Sequence, residues 1–172
     1  MANDSEDWID PIFDAVFSEV HRSGYFDRVN DFEPKSRPGR GLTAGLWVDS
    51  IDPLPAASGL SATAARLVFI LRGYKNIANQ LKPGIPALQD GIDIYMLKAF
   101  SNLCRRFNAE FDFGDGFPPG ESPIRNVDLL GYFGVALSLK GGYLDQDKVW
   151  YRTMDLTIPC IINDVWPQVQ GA

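Results

Sequence analysis

One histidine, two cysteines and one Asp/Gly-rich turn are the residues here whose types could do chemistry. A histidine acts as a general base when it lies beside a nucleophile, as in Ser–His–Asp or Cys–His sites. His21 instead falls in the last turn of a helical pattern, where an imidazole favours the free carbonyls and the negative end of the helix dipole. Cys104 sits beside Leu103 in a helical pattern and Cys160 ends a strand pattern. Both read as small buried hydrophobes rather than as a disulfide. One histidine and two distant cysteines cannot close a tetrahedral zinc site without unusual carboxylate help. The run Asp112-Phe113-Gly114-Asp115-Gly116 alternates acids with glycines, as calcium loops do. A calcium loop needs acids at its first, third and fifth positions and a glutamate at its twelfth. Counted from Asp112, the third and fifth positions are Gly114 and Gly116, so the pattern fails. Asp-Phe-Gly is also the kinase metal-binding triplet, but the catalytic-loop motif that must accompany it is missing. A solvated acidic turn is the reading that remains, and no metal or organic cofactor is expected.

Charge points to contacts rather than catalysis. The formal net charge is −6, and the one dense basic run is Lys35-Ser36-Arg37-Pro38-Gly39-Arg40. A duplex-binding protein carries a basic stripe, because phosphate neutralisation drives its affinity. Gene regulation through DNA contact is therefore a poor fit. In an acidic chain that assembles, a basic loop can complement an acidic patch on another copy. Lys35, Arg37 and Arg40, with Asp112 and Asp115 opposite them, are the candidate interface residues. An alternative small-molecule site would draw on Tyr143, Trp150 and Tyr151 with Asp145 and Asp147. Aromatics spaced along a ribbon more often form cross-strand pairs.

The elements that must position these residues follow from pattern. At 172 residues the chain suits one domain with a continuous core, and 45% hydrophobic with 22% charged residues is the ordinary globular range. No apolar run approaches the ~20 residues needed to cross a bilayer. The acidic first residues carry no secretory signal, so a cytoplasm, or a particle assembled there, is the expected setting. Asp10-Pro11 reads as a helix start, and Ile12, Phe13, Val16, Phe17 and Val20 recur at helical spacing up to Gly24. A loop over 31–41 leads to a strand over 42–51. Another strand over 60–74 has a centre, Leu67-Val68-Phe69-Ile70-Leu71, that is apolar on both faces and needs cover on both. A break at 79–89 precedes a second helix over 90–108, with Ile92, Met96, Phe100, Leu103 and Phe107 on one face. A Gly/Pro/acid loop over 110–122 follows, then strands near 124–130, 133–139 and 148–162. The last of these belongs to a long ribbon closed by Asp145-Gln146-Asp147, and Asn163-Asp164 should stop it. The expected fold is one α+β domain over 1–172, a mixed or mainly antiparallel sheet with both helices packed on one face, and flexible ends at 1–6 and 167–172.

Three sequence blocks go further. The first is Ser23-Gly24-Tyr25-Phe26-Asp27-Arg28-Val29-Asn30 with Glu33-Pro34-Lys35. The second is Gly41-Leu42-Thr43-Ala44 with Trp47-Val48-Asp49, then Ser58-Gly59-Leu60 and Ala65-Arg66-Leu67-Val68-Phe69. The third is Ile124-Arg125-Asn126-Val127-Asp128-Leu129-Leu130-Gly131, then Tyr151-Arg152-Thr153-Met154 and Asn163-Asp164-Val165-Trp166. Together they cover most of the chain, and they resemble tail-terminator (tail-completion or minor tail) proteins of long-tailed phages that infect actinobacteria. None is a chemical motif. The resemblance implies a virion protein at the neck that forms a ring, usually a hexamer. Such a ring sits on the tail-tube protein, stops tube growth and meets the head-side connector or stopper protein. It also implies no catalytic residues, no cofactor and no membrane, with genomic DNA passing through the lumen unbound; an acidic wall suits that passage, because it repels the duplex. Two alternatives stand beside it: a head-closure or connector ring protein, and a small enzyme or ligand-binding α+β domain.

Overall fold

The computed structural model describes residues 9–35, 38, 41–55, 62–77, 87–109 and 111–167. Helix α1 (Ile9–Arg22) forms because Ile12, Val16 and Val20 recur every four residues and bury completely. It ends where Gly24 takes a left-handed φ of 72° and the Ser23 and Gly24 amides bond back to the Val20 and His21 carbonyls. The chain then forms β1 (Arg28–Asn30), β2 (Leu42–Pro53), β3 (Ala62–Asn76), α2 (Ala87–Ala109), a short 3-10 turn (Gly114–Gly116), β4 (Ile124–Val127), β5 (Ser138–Gln146) and β6 (Val149–Pro167).

The six strands make one mixed sheet. β1 runs parallel to β2, and β2, β3 and β6 follow in antiparallel order. One edge of β6 pairs with β3 along its length. The other edge is shared, with β5 on the first part and β4 on the last. Both helices lie on one face, as the pattern predicts. Phe13 of α1 meets Phe69 of β3 at 6.0 Å between ring centroids. A Cβ on Gly73 would fall 2.7 Å from the Phe100 ring, so α2 approaches β3 as closely as it does only because residue 73 lacks a side chain. The helix-facing row Leu67, Phe69, Leu71 continues into Leu46, Leu156 and Ile158, all buried. Glu19, itself 4% exposed, ties the helices together by accepting a 2.7 Å bond from Arg106.

Part of the sheet's opposite face is covered by the chain itself, near Gly45 of β2 and Tyr151 of β6. Residues 31–38, as far as they are described, cross that face. The Phe32 carbonyl and the Pro34 ring would lie 2.8 Å from a Cβ on Gly45, Gln146 donates to the Lys35 carbonyl at 3.0 Å, and the buried Tyr151 hydroxyl donates to the Pro38 carbonyl at 3.2 Å.

Several boundaries differ from the sequence expectation, each for a local reason. The strand expected over 124–130 stops at Val127, because Asp128 turns the chain. The strand expected over 133–139 starts only at Ser138 and runs on to Gln146. Asn163-Asp164 does not stop β6. A register shift opposite Thr63 and Ala65 absorbs the extra residues, and pairing resumes at Trp166 and Pro167. β6 thus reaches Pro167, the first residue of the end expected to be flexible; residues 1–6 and 168–172 lie outside the described residues. The ribbon closes on Asp147-Lys148, whose φ values of 53° and 64° make the tight hairpin turn that matches strand twist. Of the break expected over 79–89, residues 79–86 lie outside the described residues, and 87–89 already belong to α2.

Candidate functional site

The residues expected to act together are split between distant parts of the sheet. Lys35 is exposed beside the tip of the β5–β6 ribbon, held there through its carbonyl. Arg37 and Arg40 lie outside the described residues. Asp112 spends its side chain on a local turn, accepting the Gly114 amide at 3.0 Å, while its carbonyl accepts the Ser122 hydroxyl at 2.5 Å. Asp115 is exposed in the 3-10 turn. This acidic segment is fastened to β4 by a 2.8 Å bond from the Val127 amide to the Phe111 carbonyl. Val127 pairs with Cys160, whereas Gln146 pairs with Val149. Eleven residues of extended strand separate these positions on β6, roughly 35 Å. Within one chain Lys35 does not meet Asp112 or Asp115.

The ribbon aromatics also fail to converge. Tyr143 lies across from Arg152, whose guanidinium sits 4.5 Å from its ring centre and bonds Asp93 of α2 at 2.6 Å. Asp145 pairs with Trp150 on that side, while Tyr151 points to the other face. On the face away from the helices, Arg72 makes a bidentate bond to Asp155 at 2.6 and 2.8 Å and lies 5.4 Å from the Trp47 ring. The bond to Asp155 holds the Arg72 guanidinium pKa above its usual value. The hollow beside this pair, lined by Lys140, Gly142 and Thr153 among others, holds about 200 Å3. Sites for drug-sized ligands run from ~300 Å3 upward. Burial pushes the thiol pKa up at both Cys104 and Cys160, which disfavours the nucleophilic thiolate. Among the described residues no three His, Cys, Asp or Glu side chains gather as a metal site would require, and no described helix is long and apolar enough to cross a membrane.

What the residues do build is a rigid outward loop. Asp128, 2% exposed, follows β4 and accepts three backbone N–H groups: Gly131 at 3.0 Å and Tyr132 at 2.9 Å on Oδ1, and Phe133 at 2.8 Å on Oδ2. Its own amide bonds the Pro159 carbonyl of β6, and its carbonyl accepts from Leu137. The Phe133 carbonyl accepts from Arg66, which also bonds Asp52 at 3.2 Å. The loop is therefore held at both ends and at its crown. At that crown Leu130 and Tyr132 project into solvent, 79% and 85% exposed. No known protein-family model matches this chain, and no curated protein is significantly similar to it. The loop was missed from sequence because Val127-Asp128-Leu129-Leu130 reads as continuing strand. The signal that could have found it is Asp128 followed by Gly131 and Gly134, which is turn chemistry.

Proposed function

We propose that this protein is a structural virion protein whose copies form a ring on the end of a phage tail tube, stop tube growth and provide the joint to the head-side connector. The observation that carries this reading is what the block 124–131 builds. That block is part of the resemblance to tail terminators, and it folds into a preordered loop presenting Leu130 and Tyr132 outward. Ordering a loop before contact lowers the entropic cost of docking, as suits a surface meant for another protein.

The net charge of −6 supports the same role, since a negative lumen repels duplex DNA and lets it pass. Tube ends explain why such a protein is needed. Each added ring regenerates the same unpaired surface, so growth continues until a subunit binds that surface without recreating it. In this role the chain needs no catalytic residue and no cofactor, and its place is the neck of the virion.

The test is to add purified protein to polymerising tail-tube protein and image the product. Rings seated at tube ends, with growth arrested in proportion to the protein added, are the expected result. A protein that leaves tube length unchanged and is never found at tube ends contradicts the proposal. Binding to the head-side connector alone would instead assign it to the head-closure class.

A further inference from the structure

We infer that copies of this chain join through one heterologous contact, in which the Asp128-held loop of one copy docks on the outer face of α2 of the next. The inference deepens the ring reading above and rests on it for closure of the contact into a ring. Leu130 and Tyr132 are the most exposed large apolar side chains among the described residues, and they sit on a loop with little freedom to fold them away. A matching surface exists on the same molecule. Ile94 and Leu97 of α2 are 52% and 45% exposed and stand one turn apart on the helix, so they form one apolar ridge. Tyr95 flanks the ridge, with the Lys75 ammonium 5.6 Å from its ring centre.

The occupant is a second copy because of where the two surfaces lie. The loop is bound to Arg66 on β3 and to Pro159 on β6. The α2 ridge lies beside Lys75 on β3 and, through Asp93, beside Arg152 on β6. Nine residues of β3 separate Arg66 from Lys75, about 30 Å, so the loop cannot reach the ridge of its own chain. Two surfaces that match but sit at opposite ends of one subunit make a head-to-tail contact, which closes into a ring when the rotation between copies allows.

Charge agrees with this pairing. Asp112, Asp115 and Glu121 come just before β4, on the loop's side of the molecule, and the bases beside the ridge are Lys75 on β3 and the exposed Lys98 on α2. For a chain of net charge −6, bringing those acids against those bases offsets self-repulsion and sets the orientation. This contact uses the acidic candidates Asp112 and Asp115 and sets them against the bases beside the ridge.

The experiment uses two full-length variants, Leu130→Asp with Tyr132→Asp, and Ile94→Asp with Leu97→Asp, each followed by native mass against concentration. All four positions are exposed, and melting curves check that each variant folds; where one does not, serine replaces aspartate at the same positions. The wild-type chain is expected to assemble beyond a dimer, and each variant alone to stay monomeric, with self-affinity weakened roughly tenfold or more. A one-to-one mixture retains one intact loop and one intact ridge, so it should form a dimer of one variant with the other and nothing larger. A loop variant that assembles like wild type overturns the inference, as does a wild-type chain that stays monomeric or stops at a dimer. If the loop variant assembles unchanged and still arrests tube growth, the contact is wrong and the capping role stands. If the mixture behaves as expected while wild-type protein leaves tubes growing, the contact stands and the capping role falls.

Discussion

Three amides converge on the Asp128 carboxylate, and this one side chain converts a stretch that reads as strand into a fixed turn. Asp128→Asn keeps the size but puts an N–H₂ group where an acceptor is required. It should cost on the order of 2 kcal/mol, because at least one of the three amides loses its acceptor on the buried Asp128 side chain. Urea midpoints would measure the loss, and limited proteolysis should show new cleavage within 129–136. A variant as stable and as protease-resistant as wild type would contradict the role given to Asp128. Cys160, Cys104 and Tyr74 set the alkaline behaviour. Burial raises all three pKa values above the unfolded values of about 8.5 for the thiols and 10 for the phenol. The folded chain keeps those protons while the unfolded chain loses them. Stability is therefore complete below about pH 8.5 and falls as pH rises past it. Urea midpoints measured from neutral to alkaline pH should decline accordingly. Cys160→Ala should be less stable at neutral pH yet show a shallower decline beginning near about 8.5, the remainder coming from Cys104; an unchanged alkaline slope would show that the Cys160 thiol is not a source of it.

At the scale of elements, the two helices were legible because their apolar residues recur at helical spacing, and each of Ile12, Val16, Val20, Met96, Phe100, Leu103 and Phe107 is indeed buried. The doubly apolar centre of β3 was legible for the same reason. The segment lying over the sheet's second face was not, because a loop crossing a sheet leaves no period in sequence; it leaves Gly45 of β2, whose missing side chain makes room for Phe32 and Pro34. The rigid loop after β4 was hidden by the apolar run around Asp128, and the separation of Lys35 from Asp112 depends on tertiary placement that spacing does not encode. Two substitutions test the packing. Gly73→Ala drives a methyl into the Phe100 ring and should destabilise by about 1–3 kcal/mol, read from thermal melts. A neutral result would mean that α2 can move off β3 without loss. Lys148→Gly relieves a left-handed φ of 64° in the ribbon turn and should stabilise by about 1 kcal/mol. A drop in melting temperature would show that the Lys148 side chain holds the turn by other means.

For the whole molecule, the sheet carries both helices on one face and the segment around Phe32 and Pro34 on the other, and among the described residues the Leu130–Tyr132 loop and the Ile94–Leu97 ridge lie toward opposite ends. The acids Asp112, Asp115 and Glu121 come just before β4 on the loop's side, and Lys75 and Lys98 lie beside the ridge. In the proposed assembly, a subunit of this kind would add to its own copies in one direction, and a closed ring of them would offer a tube end a surface unlike that of the tube's own rings. Deleting the gene and measuring tail lengths by negative-stain microscopy tests this account most directly. Tails that exceed the normal length and fail to join heads are the predicted result. Tails of normal length that only lack heads, or the absence of tails altogether, would contradict it.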